Sequence, residues 1–301
     1  MDSVQDLYPS RTAGKLPLFH RPDPVIHSQG AARLEGPLSV DELNAFDGQG
    51  YLFYPGFFEQ AEIELFQSEL TRLSRDPAVR ESGAVILEPK SREVRSVFAI
   101  HRLSPAFDRL SRDPRILGRV QQLLGSAAYI HQSRINYKPG FQGKGFNWHS
   151  DFETWHAEDG MPRPRAVSCS ISLTENHEFN GPLMVVPGSH KFFVPCVGAT
   201  PEDNYKRSLQ DQQVGVPDED SLRELIDRGG IVAPKGPPGS LLLFECNLLH
   251  ASNANLSPTP RSNVFFVYNS IDNTLQQPYA AKRPRPAFLA ERSPKALTPL
   301  A

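Results

Sequence analysis

The chain has 301 residues, of which 39% are hydrophobic and 22% are charged, a composition typical of a globular protein with a full apolar core. Its formal net charge of -2 provides no positive field for phosphate groups, so nucleic acid is excluded as an expected partner. No apolar run approaches the length of a membrane span, and the polar, acidic amino terminus is unlike a signal peptide, so we expect a cytoplasmic protein without membrane contact.

The amino-terminal segment, 1–36, is rich in proline and has no sustained hydrophobic period. We expect it to form an extended arm on the surface, and it contains no pattern that indicates chemistry. Residues 37–290 are predicted to form the folded core, and 291–301 an irregular tail. Because no internal repeat divides the chain, one domain is expected over 1–301.

Two helices with a strand between them are predicted at the start of the core. Ser39 and Glu42 form a capping box that opens a helix ending near Gly48, and 51–54 is predicted to be a short strand. The next helix has apolar side chains three and four positions apart, at Ile63, Phe66, Leu70 and Leu73. That spacing predicts a helix packed by one face against a sheet.

From Val85 onward the hydrophobic period changes from that of a helix to that of a strand. Short apolar runs separated by Gly, Pro and Asn predict strands at 85–87, 94–100, 128–137, 166–173, 183–186, 240–245 and 263–269. A capping box at Ser221 and Glu224 predicts one late helix, closed by Gly229 and Gly230. Early helices followed by evenly spaced strands indicate an α+β, mainly β fold with a jelly-roll core, the double-stranded β-helix of cupin-like proteins, and flanking helices.

Glycine and cysteine patterns exclude several classes of site. Gly140, Gly143 and Gly145 form neither a P-loop nor a dinucleotide fingerprint, so they predict a flexible loop before a strand. The cysteines are odd in number and lack a CxxC pair, which indicates buried thiols rather than disulfides or zinc ligands. They are Cys169, Cys196 and Cys246.

The segment 146–156 carries the main signal for metal chemistry. If it is a strand, His149 and Asp151 point to one face about 6 to 7 Å apart along the chain, and both can reach one ion. They would provide two ligands of the 2-His-1-carboxylate triad that leaves open positions on Fe(II). The third ligand is predicted to be His250, at the end of a strand that begins at Leu241. A surface histidine beside an aspartate gives the same short pattern, so that alternative stays open.

An arginine and a row of polar residues accompany this site. Arg261 begins the strand after His250, and a guanidinium beside iron can bind a terminal carboxylate by two parallel hydrogen bonds. Within 130–138, every second residue from 132 onward is polar, namely Gln132, Arg134, Asn136 and Lys138. This face is either exposed to solvent or the wall of a polar pocket, and the period alone does not distinguish them.

The other histidines are not assigned to the metal. His190 follows a Pro-Gly-Ser turn, where histidine is typical of a surface or hydrogen-bonding position. His156 and His177 lie outside the spacing that would place them on the same face as Asp151. His101 and His131 have no acidic residue in register with them.

The ordered set of His149-x-Asp151, the segment 180–190, His250 and Arg261 resembles the phytanoyl-CoA dioxygenase family of non-haem iron, 2-oxoglutarate-dependent oxygenases. The string at 146–162, Phe-x-Trp-His-Ser-Asp-Phe-Glu-Thr-Trp-His-x-Glu-Asp-Gly-Met-Pro, is similar to the signature of the ectoine hydroxylases within that family. The resemblance extends over roughly 37–290 in order and spacing, which would make the chain a single oxygenase domain.

The resemblance implies a role for each matching residue. Fe(II) would be bound by His149, Asp151 and His250, which would form the catalytic centre. The side-chain carboxylate of 2-oxoglutarate would be bound by Arg261 with help from Lys138 and Asn136. The ectoine pocket would be lined by Gln132, Thr154, Trp155 and Arg285. Ectoine has a flat amidinium cation and a carboxylate, which suit the aromatic face of Trp155 and the guanidinium of Arg285.

The function implied by the resemblance is hydroxylation of ectoine to 5-hydroxyectoine, a step of compatible-solute synthesis in the stress response. 2-Oxoglutarate and O2 would be the cosubstrates, succinate and CO2 the other products, and a homodimer is the assembly considered. Three alternatives stay open: a sister oxygenase of another small molecule or acyl thioester, a jelly-roll binding protein without catalysis, and a cupin-type metalloenzyme without 2-oxoglutarate. A halogenase is disfavoured because Asp151 fills the carboxylate position.

Overall fold

A computed structural model describes residues 6–87, 93–209 and 212–300 of the chain, so residues 1–5 of the predicted arm lie outside the described residues. The strands are Phe19–His20 (β1), Tyr51–Tyr54 (β2), Val85–Leu87 (β3), Val94–Phe98 (β4), Ala128–Lys138 (β5), Phe146–His149 (β6), Ala166–Ser172 (β7), Leu183–Val185 (β8), Phe192–Phe193 (β9), Leu241–Glu245 (β10), His250–Ser252 (β11) and Arg261–Ser270 (β12).

The helices are Val40–Gln49 (α1), Gln60–Arg75 (α2), Pro77–Glu81 (α3), Ile100–Leu103 (α4), Pro105–Ser111 (α5), Pro114–Leu124 (α6), Asp151–Thr154 (α7), Tyr205–Ser208 (α8) and Glu219–Gly229 (α9). Gly30–Arg33 and Ser189–Lys191 are short 3-10 turns, and Trp155–Asp159 is a π-helical turn. In the part of the chain that is described, no helix has the length and apolar character to cross a bilayer.

Two antiparallel sheets form the jelly roll. The larger sheet has seven strands in the order β2-β10-β7-β12-β5-β4-β3, and the smaller sheet has three in the order β6-β11-β8. A third pairing, β1 with β9, joins the amino-terminal segment to the body of the protein. This arrangement of strands with flanking helices confirms the predicted α+β, mainly β fold class.

Side chains of the larger sheet alternate between two environments. One face packs against α1, α2 and α6 in the largest hydrophobic core, to which β10 contributes Leu241 and Leu243. The other face points towards the smaller sheet, where Leu242 and Phe244 of β10 meet Val185 of β8. Because successive side chains of a strand point to opposite faces, β10 contributes to both layers.

The early elements confirm the sequence predictions. At the start of α1, Ser39 Oγ accepts a hydrogen bond from the Glu42 amide, and the Glu42 carboxylate accepts one from the Ser39 amide at 2.8 Å. The helix ends at Gln49, one residue after the predicted end, and is followed by Gly50, whose φ of 84° is accessible to glycine. The four apolar residues that predicted α2 are buried, as are the three cysteines.

Three helices occupy most of 100–124, where the sequence pattern predicts the end of a strand and no helix. α5 begins with Ser104 as its cap followed by a proline, and α6 begins with Asp113 and a proline. α6 ends at Gly125, which has a φ of 60°. These are ordinary signals for helix ends, but both helices are short and lie between strands whose period of two dominates the pattern.

Two further predictions need correction. α9 begins at Glu219 rather than at Ser221, because the Asp218 carboxylate accepts the Ser221 amide hydrogen bond at 3.1 Å and caps the helix earlier. The predicted strand from Leu241 to His250 is two strands in different sheets. β10 ends at Glu245, whose carboxylate accepts the Asn247 amide at 2.6 Å and so stabilises the turn that leads to β11.

Candidate metal centre and substrate cavity

His149 and Asp151 do not share a strand, so that part of the prediction is wrong. β6 ends at His149, and Ser150 caps α7 by accepting a hydrogen bond from the Glu153 amide at 3.4 Å. This cap changes the backbone from strand to helix between the two residues. Their side chains still meet, because Nε2 of His149 lies 3.7 Å from Oδ1 of Asp151.

His250 joins this pair through strand pairing. β11 is antiparallel to β6, with His250 opposite His149, and Nε2 of His250 lies 3.8 Å from Oδ2 of Asp151. The three buried residues each offer a ligand atom within 4.8 Å of the other two. Over the described ranges, this is the one group of three or more His, Cys, Asp or Glu residues with the geometry to hold a metal ion.

The protonation of these side chains suits a divalent metal. Nδ1 of His149 lies 2.8 Å from the Asn147 carbonyl oxygen, and Nδ1 of His250 lies 2.9 Å from that of Leu248. Because a carbonyl only accepts, Nδ1 of each histidine donates this hydrogen bond, and Nε2 is the ring nitrogen that faces the Asp151 carboxylate. Burial lowers the pKa of His149 to about 3, which keeps its imidazole neutral.

The carboxylate of the group is anionic. Burial alone would raise the pKa of Asp151, but His250 and Arg134 lower it below its ordinary value. Two imidazoles and one carboxylate are the donor set of the 2-His-1-carboxylate sites of non-haem iron proteins. The side chains present therefore fit Fe(II).

A cavity of about 140 Å³ lies beside the triad. The polar face of β5 lines it, so the pocket alternative for this face is correct and the solvent alternative is wrong. The cavity wall contains every residue that the resemblance assigns to 2-oxoglutarate or ectoine: Gln132, Asn136, Lys138, Thr154, Trp155, Arg261 and Arg285. The structure brings these residues together, and their roles stay predictions.

Arg261 has the character of an anion-binding residue. It lies opposite Lys138 in the pairing of β12 with β5. Nη1 of Arg261 donates to the Gly181 carbonyl at 2.7 Å, while its buried Nε has no hydrogen-bond partner among the described residues. Burial lowers its pKa to about 10, so the guanidinium remains charged at neutral pH. A buried cation with unused donor capacity favours binding of a carboxylate ligand.

The other two residues assigned to 2-oxoglutarate are held by neighbouring polar groups. Lys138 Nζ donates to Ser252 Oγ at 2.8 Å and to the Asn253 carbonyl. Asn136 Oδ1 accepts a hydrogen bond from Ser96 Oγ at 2.9 Å. These contacts fix both side chains in the cavity wall next to Arg261.

Aromatic and polar residues form the part of the wall assigned to ectoine. Trp155 is buried, and its ring meets that of His131 edge to face with centroids 5.1 Å apart. Thr154 Oγ1 is buried and has no hydrogen-bond partner among the residues described. Gln132 Nε2 donates to the Leu289 carbonyl at 2.8 Å, which fixes the direction of its amide.

Arg285 is paired with a carboxylate inside the protein. Its Nε and Nη2 donate to the two Asp159 carboxylate oxygens at 2.7 and 2.6 Å. Asp159 Oδ2 also lies 3.3 Å from Nε2 of His131, so the expectation that His131 lacks an acidic partner is wrong. His131 is the unpaired residue of a bulge between β5 and β12, and its partner comes from a distant segment that spacing along β5 does not reveal.

One further histidine settles an open alternative, and one residue of the cavity wall was not assigned a role. His190 is fully buried, with Nε2 3.1 Å from the Asp47 carbonyl oxygen, so its hydrogen-bonding alternative is correct and its surface alternative is wrong. Arg134 lines the cavity with its guanidinium over the Phe265 ring, 4.8 Å from the ring centroid. The alternation of polar residues along β5 already placed Arg134 on the same face as Gln132 and Asn136.

Known proteins resemble the whole chain. An ectoine dioxygenase from Halomonas elongata is 56% identical over 98% of this chain and 89% of the relative, and one from Sphingopyxis alaskensis is 50% identical over 96% and 94%. A crystal structure of EctD from S. alaskensis with 2-oxoglutarate and 5-hydroxyectoine has a TM-score of 0.88 at 47% identity, covering 98% of each chain. The same protein with bound Fe gives 0.87 at 46% identity, with 98% of each chain covered.

A family model described as phytanoyl-CoA dioxygenase matches residues 46–263, which contain the complete triad and Arg261. The match includes most of the chain, and it agrees with the fold and with the relatives. This chain belongs to the phytanoyl-CoA dioxygenase family.

Proposed function

We propose that this protein is a 2-oxoglutarate-dependent dioxygenase that uses Fe(II) to hydroxylate ectoine to 5-hydroxyectoine, with release of succinate and CO2. The observation that carries the proposal is the meeting of the buried triad and the buried Arg261 at one cavity. About half of the residues are identical to those of ectoine dioxygenases over nearly the full chain, which supports the choice of substrate.

His149, Asp151 and His250 would hold the iron and leave positions open for the cosubstrate. Bound iron, 2-oxoglutarate and O2 together supply the oxidation of a C–H bond to C–OH. Arg261 would bind the side-chain carboxylate of 2-oxoglutarate, because its Nε is buried without a protein partner and its charge has no carboxylate beside it among the described residues. Lys138 and Asn136 would add a second charge and an amide at the same end of the cavity.

The substrate end of the cavity suits a small zwitterion. The Trp155 face would pack on the flat amidinium ring of ectoine. The Thr154 hydroxyl, which has no partner within the described part of the chain, and the Gln132 amide would offer hydrogen bonds. Arg285 would meet the ectoine carboxylate with the donors that Asp159 does not use. The buried walls exclude water and hold a ring carbon in place for reaction.

Purified protein separates this proposal from its rivals. We expect Fe(II)-loaded protein to convert 2-oxoglutarate to succinate rapidly when ectoine is present and slowly when it is absent. A jelly-roll binding protein without catalysis would release no succinate. A cupin-type metalloenzyme that does not use 2-oxoglutarate would not consume it. A sister oxygenase would show no stimulation by ectoine but would respond to another small molecule or an acyl thioester.

The proposal also includes the organisation and setting of the protein. Residues 37–290 would form the catalytic core of a single oxygenase domain in a cytoplasmic enzyme of compatible-solute synthesis. A net charge of -2 agrees with a cytoplasm that excludes salt, where extreme acidity is not needed. A homodimer is the proposed assembly, and light scattering of the purified protein measures it directly.

A further inference from the structure

Arg11, in the amino-terminal arm, is buried against the segment that carries Thr154 and Trp155. Its Nε lies 2.6 Å from Oε1 of Glu153, and its Nη2 lies 2.9 Å from Oε2 of the same carboxylate. Nη2 also lies 3.3 Å from Oε1 of Glu158. These three side chains are at most 3% exposed, so one guanidinium faces two carboxylates away from water.

The two glutamates are five residues apart, with Trp155 between them. In an α-helix of 3.6 residues per turn, positions five apart point about 140° away from each other, which separates their carboxylates. Here 155–159 is a π-helical turn, in which the Gly160 amide donates to the Trp155 carbonyl five residues earlier as well as to the His156 carbonyl. This geometry brings positions five apart towards one face, where a single guanidinium contacts both.

The arm holds this contact in a closed site. Ser10 Oγ donates to Oε1 of Glu153 at 2.6 Å. Gly215 covers the ion pair so closely that a Cβ at that position would collide with Arg11 and Glu153. Arg11 itself has a φ of 59°, a left-handed conformation that costs energy for a residue with a side chain. The surrounding contacts therefore stabilise the arginine in a conformation that it would not adopt alone.

The π-helical turn positions part of the cavity wall. Trp155 is its first residue and Thr154 immediately precedes it, and both side chains line the cavity. π-helical turns are rare and are found frequently at functional sites. Without the guanidinium, the buried Glu153 carboxylate would lose its two-pronged ion pair beside the buried carboxylate of Glu158, which disfavours this backbone geometry.

We propose that Arg11 is a positioning residue that stabilises the π-helical turn and thereby sets the affinity for the organic substrate without contacting it. The identity of that substrate, ectoine, rests on the proposed function, whereas the geometric claim does not. Arg11 lies outside the family match at 46–263, so the arm adds this contact to the family core. No pattern in the sequence of the arm indicates this contact, because Arg11 and Glu153 are 142 residues apart.

Tryptophan fluorescence tests the geometric claim without turnover. The chain has two tryptophans, so Trp148→Phe leaves Trp155 as the reporter. In this background, Arg11→Lys keeps the charge but cannot form the two-pronged contact, and we expect a red-shifted emission and severalfold stronger quenching by acrylamide. Lys15→Ala, the matched control, removes an exposed ammonium of the same arm that pairs with Asp218 and Asp220, and should change neither. Unchanged quenching in Arg11→Lys would overturn the proposal.

Kinetics distinguish positioning from a purely structural role. With the tryptophans intact, Arg11→Lys should raise the KM for ectoine about tenfold, the equivalent of one weakened charge-assisted hydrogen bond. Iron content and the KM for 2-oxoglutarate should stay unchanged, and more succinate should form per 5-hydroxyectoine. A purely structural role would lower the Tm without changing the KM or this ratio, and that result would contradict the proposal.

Two other results of these experiments are also decisive. If the wild-type protein converts 2-oxoglutarate but not ectoine, the substrate assignment fails, and the quenching measurement still decides the role of Arg11. If Arg11→Lys does not fold, the double variant Arg11→Met with Glu153→Gln, which removes the guanidinium and the carboxylate of its two-pronged contact, is used in both measurements instead. Wild-type quenching and a wild-type KM for ectoine in that double variant would equally overturn the proposal.

Discussion

His149 and His250 lie opposite each other on the antiparallel strands β6 and β11, with ring centroids 4.1 Å apart. Strand pairing therefore joins two imidazoles that are far apart in sequence, and Asp151 reaches them from the first turn of α7. Since backbone hydrogen bonds of the smaller sheet hold the two histidines, the site is preorganised for a metal ion.

Removal of any one triad side chain should abolish both iron retention and turnover. We expect this of His149→Ala, Asp151→Ala and His250→Ala, with the fold retained, because two remaining ligands bind Fe(II) weakly. Metal analysis after gel filtration and circular dichroism measure the two effects. His20→Ala, at an exposed histidine of β1, is the control that keeps its iron. A triad variant with wild-type iron content and activity would remove that residue from the ligand set.

Arg261→Lys should fail to restore the activity lost in Arg261→Ala, because an ammonium cannot form the two-pronged contact of a guanidinium. The KM for 2-oxoglutarate is expected to rise by roughly 10-fold to 100-fold, the range for loss of a charge-assisted hydrogen bond, with little change in the KM for ectoine. Initial-rate kinetics with each substrate varied provide the measurement. Arg228→Lys, at an exposed helix position, is the control. An unchanged dependence on 2-oxoglutarate would assign its carboxylate to another residue.

Trp155→Ala should lose ectoine turnover while iron and 2-oxoglutarate still bind. A cation over an indole contributes about 0.5 to 2 kcal/mol, and the lost packing adds to this. Trp155→Phe should recover part of the activity because it keeps an aromatic face. Succinate release should continue without matching hydroxylation in the Ala variant, which parallel assays of both products detect. Equal hydroxylation rates in Trp155→Ala and the wild type would contradict this role.

The sequence predicts those features of the site that depend on residues close together in the chain. His149 and Asp151 are two residues apart, and the polar face of β5 follows the period of two. The period of two assigns side chains to one face of β5 but does not show what packs over that face. The pocket could therefore be recognised only from the structure, in which residues of the smaller sheet line the same cavity. The contacts of His131 with Asp159 and of Arg11 with Glu153 join distant segments, and no local pattern encodes them.

The helices α5 and α6 were not predicted although the residues that begin and end them are recognisable in the sequence. Ser104 and Asp113 each precede a proline at a helix start, and Gly125 follows a helix end. The bend that separates β10 from β11 has no comparable signal, since 241–249 is mostly apolar. Its turn depends on the Glu245 carboxylate, which tertiary packing orients.

Acidification should destabilise the protein, and His190 should account for part of the effect. Burial, aided by the nearby Arg21, lowers the pKa of His190 to about 3. An unfolded histidine has a pKa of about 6.5, so below that pH the unfolded chain binds more protons than the folded protein. The free energy of unfolding therefore falls by roughly 1.4 kcal/mol per pH unit for this group between about pH 6.5 and 3.

Urea unfolding at pH 7 and pH 5 measures this slope. His190→Gln keeps a donor for the Asp47 carbonyl but cannot titrate, so its stability should depend less steeply on pH than that of the wild type. His27 and His101 keep part of the slope in both proteins, because burial lowers the pKa of each to about 4. Identical slopes in the two proteins would show that His190 does not contribute.

Identification of the product tests the central claim most directly. Protein supplied with Fe(II), 2-oxoglutarate, O2 and ectoine should form a compound heavier than ectoine by one oxygen atom, which NMR should identify as 5-hydroxyectoine. Succinate should appear in an equal amount, and Asp151→Ala should form neither. Recovery of unchanged ectoine from the Fe(II)-loaded wild-type protein, together with rapid oxidation of a different small molecule, would contradict the account.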